Sequence, residues 1–384
     1  MTILYELAVL GSPSDAQVDE LHAAVALSIE SFRLRLGHEV AWSVRPVNFT
    51  PDQHKASVAV FFGGKNAPET NLAELMQRAV PVIPVVSSLS SSTVRDEIPE
   101  ILQSLNCLDL SQGGMRRVAT ALLECIGLLP RQRRIFLSYR RDEARHAAIQ
   151  LFEALSARLF DVFLDTHKIG VAEDFQAMLW HHLADSDVLV MLDTPTYFES
   201  RWTSTEFGRA LAKGIAVLRI GWPDCKQSER TRIANEIELS QVEIDANTGN
   251  LADEVVYRIC LELEAVRVES HVVRNVNLVS NLRNAIEQIN GRLIGVGAHN
   301  GVQIQLDDGR SVVVYPTVGV PTSTTLHDAS GNSPGHSVAV IYDHVGIHPR
   351  WLAHLDWLGS HIRPVRCVKA SEAAWQFAGW EDRP

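Results

Sequence analysis

Along the first third of the chain, short runs of apolar residues alternate with longer stretches of mixed periodicity. The apolar runs at Leu4–Leu10, Val40–Val44, Val58–Phe62 and Val82–Val86 predict strands. They carry no alternating polar positions, as expected of strands covered by helices on both faces of a parallel sheet. The spacing predicts helices over Asp15–Leu36, Leu72–Arg78, Val94–Leu105 and Met115–Leu128, the first stopped by Gly37. The middle third repeats the plan. Ile135–Tyr139, Val162–Asp165, Val188–Leu192 and Ile215–Ile220 predict strands, and Glu143–Arg158, Phe175–Leu183 and Thr203–Ala212 predict the helices between them. After a polar, irregular stretch over 222–250, Leu251–Val266 predicts a closing helix. Such strand–helix alternation predicts an α/β architecture with parallel sheets.

The last third changes pattern. Asn275–Ile289 predicts a helix stopped by Gly291, and Leu293–Val296, Val302–Leu306 and Ser311–Tyr315 predict strands. Asp307-Asp308-Gly309 supplies a hairpin turn between the last two. Segment 319–337, rich in Gly, Ser, Thr and Pro, reads as a loop. Val338–Tyr342 and Val365–Val368 predict strands around a helix at Pro349–Leu358, with a short final helix over Ser371–Gly379. The expected organisation is an α/β domain over 1–130, a second over 131–267, and a small mixed α/β domain over 268–384. The length agrees, since 384 residues at about 150 per domain make two or three.

Composition narrows the function classes. With 46% hydrophobic and 21% charged residues, the chain is not a disordered one. Its formal net charge of −11 argues against direct nucleic-acid binding, which needs clustered Lys and Arg to neutralise phosphates. The longest basic cluster, Arg131–Arg134, is interrupted by Gln132. Apolar runs such as Val80–Val86 fall far short of the roughly 20 residues that span a bilayer, so no membrane association is expected. No basic stretch followed by an apolar core opens the chain, and the five cysteines are scattered without a C-x-x-C pair. Both features predict reduced thiols and a cytoplasmic location.

Four motifs in the middle third, taken in order, carry a family resemblance. They are Ile135-Phe136-Leu137-Ser138-Tyr139-Arg140-Arg141-Asp142; Val162-Phe163-Leu164-Asp165 with Gly170 and Phe175 downstream; Asp185-Ser186-Asp187-Val188-Leu189-Val190; and Ser200-Arg201-Trp202-Thr203-Ser204-Thr205-Glu206. Together they resemble the Toll/interleukin-1 receptor (TIR) family, across roughly Arg133–Val266, the last motif matching its S-x-W-x-x-x-E signature. The resemblance implies a flavodoxin-like parallel sheet. The first third looks like a divergent, non-catalytic relative of that plan, lacking the signature, and the last third resembles no family.

Some TIR domains are protein-interaction adaptors, and others cleave the nicotinamide–ribose bond of NAD+ with the glutamate that ends the signature. Glu206 holds that position. The chemistry is plausible for one carboxylate. Departure of nicotinamide leaves an oxocarbenium-like ribosyl cation, which a nearby negative charge stabilises. The leaving group departs neutral, so no paired acid is needed. The resemblance thus implies Glu206 as catalytic, with Ser138, Tyr139, Arg140, Asp165, Lys168 and Trp202 contacting NAD+. NAD+ would be a substrate, and no cofactor or metal is expected. Plain rivals stand beside each role: Trp202 as a core aromatic, Arg140 and Lys168 as surface charges, Asp165 as a strand terminator. No Gly-rich phosphate loop is present, which sets the chain apart from Rossmann dehydrogenases.

The resemblance further implies self-association through the TIR domain, with the loop tip Ile169–Val171 as a contact, and a role in bacterial antiphage defence by NAD+ depletion. Two alternatives remain at this level: an enzyme making a cyclic or conjugated ADP-ribose messenger, and a non-enzymatic scaffold. Five histidines, His336, His344, His348, His354 and His361, crowd the C-terminal part. Pro349 after His348 separates His344 and His348 from a common helix face, so no metal site is expected. The strand ends Tyr315, Tyr342, Asp343 and His344 instead suggest a site for an activating ligand or protein, making 268–384 a regulatory or assembly domain.

Overall fold

The computed structural model describes residues 3–30, 34–52, 55–69, 71–110, 114–128, 133–158, 160–164, 175–223 and 225–380. Among them, three five-stranded sheets follow one another along the chain. The first contains β1 (Tyr5–Gly11), β2 (Val40–Val44), β3 (Ala56–Phe62), β4 (Val82–Val86) and β5 (Leu108–Asp109), with α1 (Asp15–Glu30), α2 (Leu72–Gln77), α3 (Ser91–Glu97) and α4 (Gly114–Cys125) between and after them. Its order is β2-β1-β3-β4-β5, parallel throughout. The second contains β6 (Arg133–Ser138), β7 (Phe160–Leu164), β8 (Val188–Asp193), β9 (Ala216–Gly221) and β10 (Asn235–Glu238), with α5 (Arg141–Ser156), α6 (Phe175–Ala184) and α7 (Arg201–Ala212). Its order, β10-β9-β8-β6-β7, is again all parallel and flavodoxin-like. Helix α8 (Asp253–Glu287) leads to the third sheet: β11 (Arg292–Val296), β12 (Val302–Gln305), β13 (Ser311–Thr317), β14 (Ser337–Tyr342) and β15 (Val365–Lys369), with α9 (Ser323–Asn332), α10 (Pro349–His361) and α11 (Ala373–Ala378). That sheet is mixed. β11, β12 and β13 pair antiparallel, and β13, β14 and β15 pair parallel.

The apolar strands are buried on both faces for the reason their sequences predict. In the second sheet Ile135, Leu137, Val188, Val190 and Leu192 face α5 and α8, whereas Phe136, Leu189 and Met191 face α6 and α7. Alternate residues of one strand thus enter two different cores.

Several elements differ from the sequence expectations. Leu251–Val266 and Asn275–Ile289 belong to one continuous helix, α8, because no Gly or Pro breaks the chain between them. Within the predicted loop 319–337 lies α9. Thr322 starts it by a capping box with Thr325, a signal obscured by the surrounding Ser and Thr. Val94–Leu105 is no single helix, since α3 ends before Pro99 and a single tight turn follows over Glu100–Leu102. The edge strands β5 and β10 are too short and, in β10, too polar to stand out in the apolar pattern.

Candidate functional site

In the second sheet the chain turns from β6 to β7 on one side and reaches β8 on the other. The strand order therefore reverses between β6 and β8, and the carboxyl ends at such a reversal are where open α/β sheets take ligands. Ser138 is the last residue of β6. Beyond β8, a tight turn over Tyr197–Glu199 leads into α7, whose second turn carries Glu206. The Ser138 hydroxyl donates to Glu206 Oε2 at 2.5 Å, and Tyr197 and Ser138 share a hydroxyl–hydroxyl bond of 2.7 Å. With the Ser138 proton committed to the carboxylate, the Tyr197 phenol is the donor of the second bond.

This relay is buried. Glu206 is 6% exposed and Tyr197 is fully enclosed. Burial pushes the Tyr197 phenol well above its usual range, and the Glu206 charge pushes it further, so it stays a neutral donor. The entry to α7 is tied to the preceding turn: Thr203 donates to the Tyr197 carbonyl, and Ser204 to the Phe198 carbonyl at 3.1 Å. These bonds hold Glu206 in register with the end of β6. Next to the relay, Arg219 of β9 is fully buried. It donates to Asp193 at the end of β8 at 2.5 Å and pairs with Glu238 on β10. Burial raises the Asp193 carboxyl above its ordinary value, against the opposing pull of Arg219.

The structure sorts the residues predicted from sequence. Ser138 and Glu206 meet directly. Tyr139 turns away into the core beneath α5. Arg140 donates to the Thr196 carbonyl at 2.6 Å and lies 3.8 Å from Glu199, bracing the loop after β8. Trp202, one turn before Glu206 on α7, is half exposed, so it is not a core aromatic. Asp165, Lys168 and the loop tip Ile169–Val171 lie outside the described residues. Tyr197 escaped the sequence reading, and so did Asp193 and Arg219. The available signal for Tyr197 was its place three residues ahead of the signature's Ser200. Among the described residues, no group of three or more His, Cys, Asp or Glu is placed to hold a metal ion, and no helix is long and apolar enough to cross a membrane.

The parallel sheet and the Ser138–Glu206 pair at its carboxyl edge fall within one stretch of the chain. Residues 135–252 match the family model described as TIR domain, and the middle of this chain is a TIR domain. No curated protein matches the chain. Among solved structures it is similar to tagatose-6-phosphate ketose/aldose isomerase from Escherichia coli, at 13% identity over 71% of this chain and 83% of that one. The TM-score is 0.21, a likeness too weak to bear on fold or function.

Proposed function

We propose that the TIR domain is an NAD+ hydrolase in which Glu206 stabilises the ribosyl cation formed as nicotinamide departs. The observation that carries this reading is the Glu206 carboxylate, enclosed at the carboxyl edge of the sheet and oriented by the Ser138 hydroxyl. A charge fixed before the reaction begins needs no reorganisation as positive charge develops on the ribose, and its burial strengthens its field relative to water. Trp202, half exposed on the same helix, would pack on the ribose or base in this reading. The TIR resemblance gives Arg140, Asp165 and Lys168 to the rest of the dinucleotide. The enzyme works as an assembly of TIR domains in this reading, and depletion of NAD+ in an infected bacterial cell is its biological output.

The test is purified full-length protein incubated with NAD+, with nicotinamide, ADP-ribose and cyclic or conjugated products resolved by chromatography. Nicotinamide with ADP-ribose supports hydrolysis, and a cyclic or conjugated product reassigns the enzyme to messenger synthesis. Glu206→Gln keeps the shape and removes the charge, and it should lower nicotinamide release by about 10²–10³-fold or more at unchanged thermal stability. Turnover by Glu206→Gln at the wild-type rate would remove Glu206 from the reaction.

A further inference from the structure

Beneath the TIR sheet, on the side opposite Glu206, lies a cavity of about 580 Å³. Its size falls within the roughly 300–1,000 Å³ typical of small-molecule sites. Three walls form it. One consists of the carboxyl ends of the three parallel strands of the third sheet: Thr317 ending β13, Asp343 following β14, and Ala370 and Ser371 following β15. Carboxyl ends of parallel strands are where open α/β sheets take their ligands. The second wall is α8, and the third is Lys213 and Gly214, immediately after α7 of the TIR domain.

The α8 wall has a composition that helix formation does not explain. Arg274, Asn277, Asn281 and Asn284 follow one another at spacings of three and four, on one face. Asn is a poor residue for a helix interior, because its amide competes for the backbone. Packing is handled by other positions, with Leu282, Ala285 and Ile286 entering the core of the third sheet. The asparagines are exposed and line the cavity. Carboxamides arrayed in a concave site are donors and acceptors for a hydrogen-bonding body. The charges are uneven. Lys213 is paired with Asp343 at 2.6 Å, whereas Arg274 donates to the Ser186 carbonyl at 2.8 Å and feels Asp187, Asp343 and Asp185 at longer range. The lining itself carries two cations, Lys213 and Arg274, and one carboxylate, Asp343, and an anion entering it would compete with the carboxylates for them.

We propose that this cavity binds a small phosphorylated metabolite of nucleoside or sugar type, with Arg274 taking the phosphate and the α8 carboxamides taking the body, and that occupancy is transmitted along α7 to Glu206. Lys213 is the contact point. It also donates to the Val345 carbonyl, so the end of α7 is latched to the loop after β14. A phosphate near Lys213 competes with Asp343 for its ammonium and loosens that latch. Glu206 lies seven residues up the same chain segment, about 10 Å at the helical rise. The transmission part rests on the NAD+ reading above, and the binding part does not.

The test is calorimetric titration of full-length protein with AMP and ribose 5-phosphate, each beside its phosphate-free counterpart, adenosine or ribose. At least one phosphorylated probe should bind with a dissociation constant below about 1 mM, and its counterpart about tenfold or more weakly, as expected for loss of a charge-assisted contact. Asn281→Phe, which fills the cavity, and Asn284→Leu, which removes one amide, should each weaken binding by about tenfold at unchanged melting temperature. Asn281→Phe alters α8 and leaves the residues around Glu206 untouched, so loss of probe binding there separates this cavity from the site at Glu206. Failure of both phosphorylated probes to bind, equal binding of the phosphate-free compounds, or full binding by both α8 variants would overturn the assignment. With a bound probe, nicotinamide release should change several-fold in the wild type and stay constant in Asn281→Phe. An unchanged rate in the wild type would overturn the transmission, whereas loss of all NAD+ cleavage with binding intact would fall on the NAD+ reading alone.

Discussion

At the scale of single residues, the site is a carboxylate with a supporting chain of hydroxyls, and each member has a separable effect. Ser138→Ala removes the donor at 2.5 Å from Glu206 and leaves the charge in place. The carboxylate then loses its orientation, and kcat is expected to fall by about tenfold, much less than in Glu206→Gln. Tyr197→Phe should leave chemistry nearly intact and lower stability by about 1–2 kcal/mol, since the Ser138 oxygen loses its buried donor. Steady-state kinetics beside thermal melts distinguish the two. Trp202→Ala offers a third contrast. At a half-exposed position it should alter stability by no more than about 0.5 kcal/mol, so a rise in KM measured there reports substrate contact. The pairing of Ser138 with Glu206 was within reach of the sequence, because both belong to ordered motifs at predicted strand and helix ends. Tyr197 was only half legible: its place three residues before Ser200 marks the position, but nothing in Thr-Pro-Thr-Tyr-Phe-Glu marks which way its hydroxyl points.

Elements were legible where burial imposed a period and illegible where capping or edge position decided the matter. The strands β6 and β8 stood out because both faces are covered. Helix α9 did not, since Thr322 and Thr325 look like loop residues until their mutual hydrogen bonds are seen. The packing of α6 against α10 was equally hidden. There His181 is buried with its ring 4.4 Å from that of Trp351, and its Nδ1 accepts weakly from the His348 backbone N–H at 3.5 Å. Burial lowers its pKa from the ordinary 6.5 to about 4, aided by the neighbouring positive charge of His182, His348 and Arg134. A depressed pKa means the unfolded chain takes the proton first as pH falls. The neutral His181 therefore contributes stability above pH 6.5 that is lost progressively as pH falls to about 4, a loss of at most about 3 kcal/mol. Melting temperatures across that window should fall more steeply for the wild type than for His181→Gln. Parallel slopes would show that other groups set the acid sensitivity.

At the scale of the whole molecule, the three sheets share α8. Val255, Ile259 and Leu263 enter the core of the second sheet, Val268 that of the first, and Leu282 and Ile286 that of the third. Where the helix passes between the sheets, its charges are buried with partners from each side. Tyr5 of β1 donates to Glu264, Arg133 of β6 pairs with Glu264, and Arg267 bonds Asp187 at 3.2 Å and the Gly127 carbonyl at 2.8 Å. Burial alone would lower the Arg267 pKa, but Asp187, Tyr5 and Glu264 more than offset it and fix the charge. Hydrophobic periodicity could not reveal this junction, because its partners are far apart in sequence and a charged residue inside a helix normally reads as a solvated face. Glu264→Gln leaves two buried guanidiniums short of a partner and should cost about 3–5 kcal/mol, measured by denaturant unfolding. The same geometry bears on any attempt to isolate the TIR domain by truncation. A chain ending at Val266 keeps the motif set but removes Arg267 from Asp187 and Gly127, and strips Val268 and Val272 from the core beside β1. It should therefore unfold in its first 128 residues at lower temperature than the full chain, although the cut lies far along the sequence. Limited proteolysis with mass spectrometry would locate the first cleavages. Cleavage appearing early within 3–128 of the truncated protein is the expected result, and protection equal to that of the full-length chain would show that α8 does not bind the sheets into one cooperative unit.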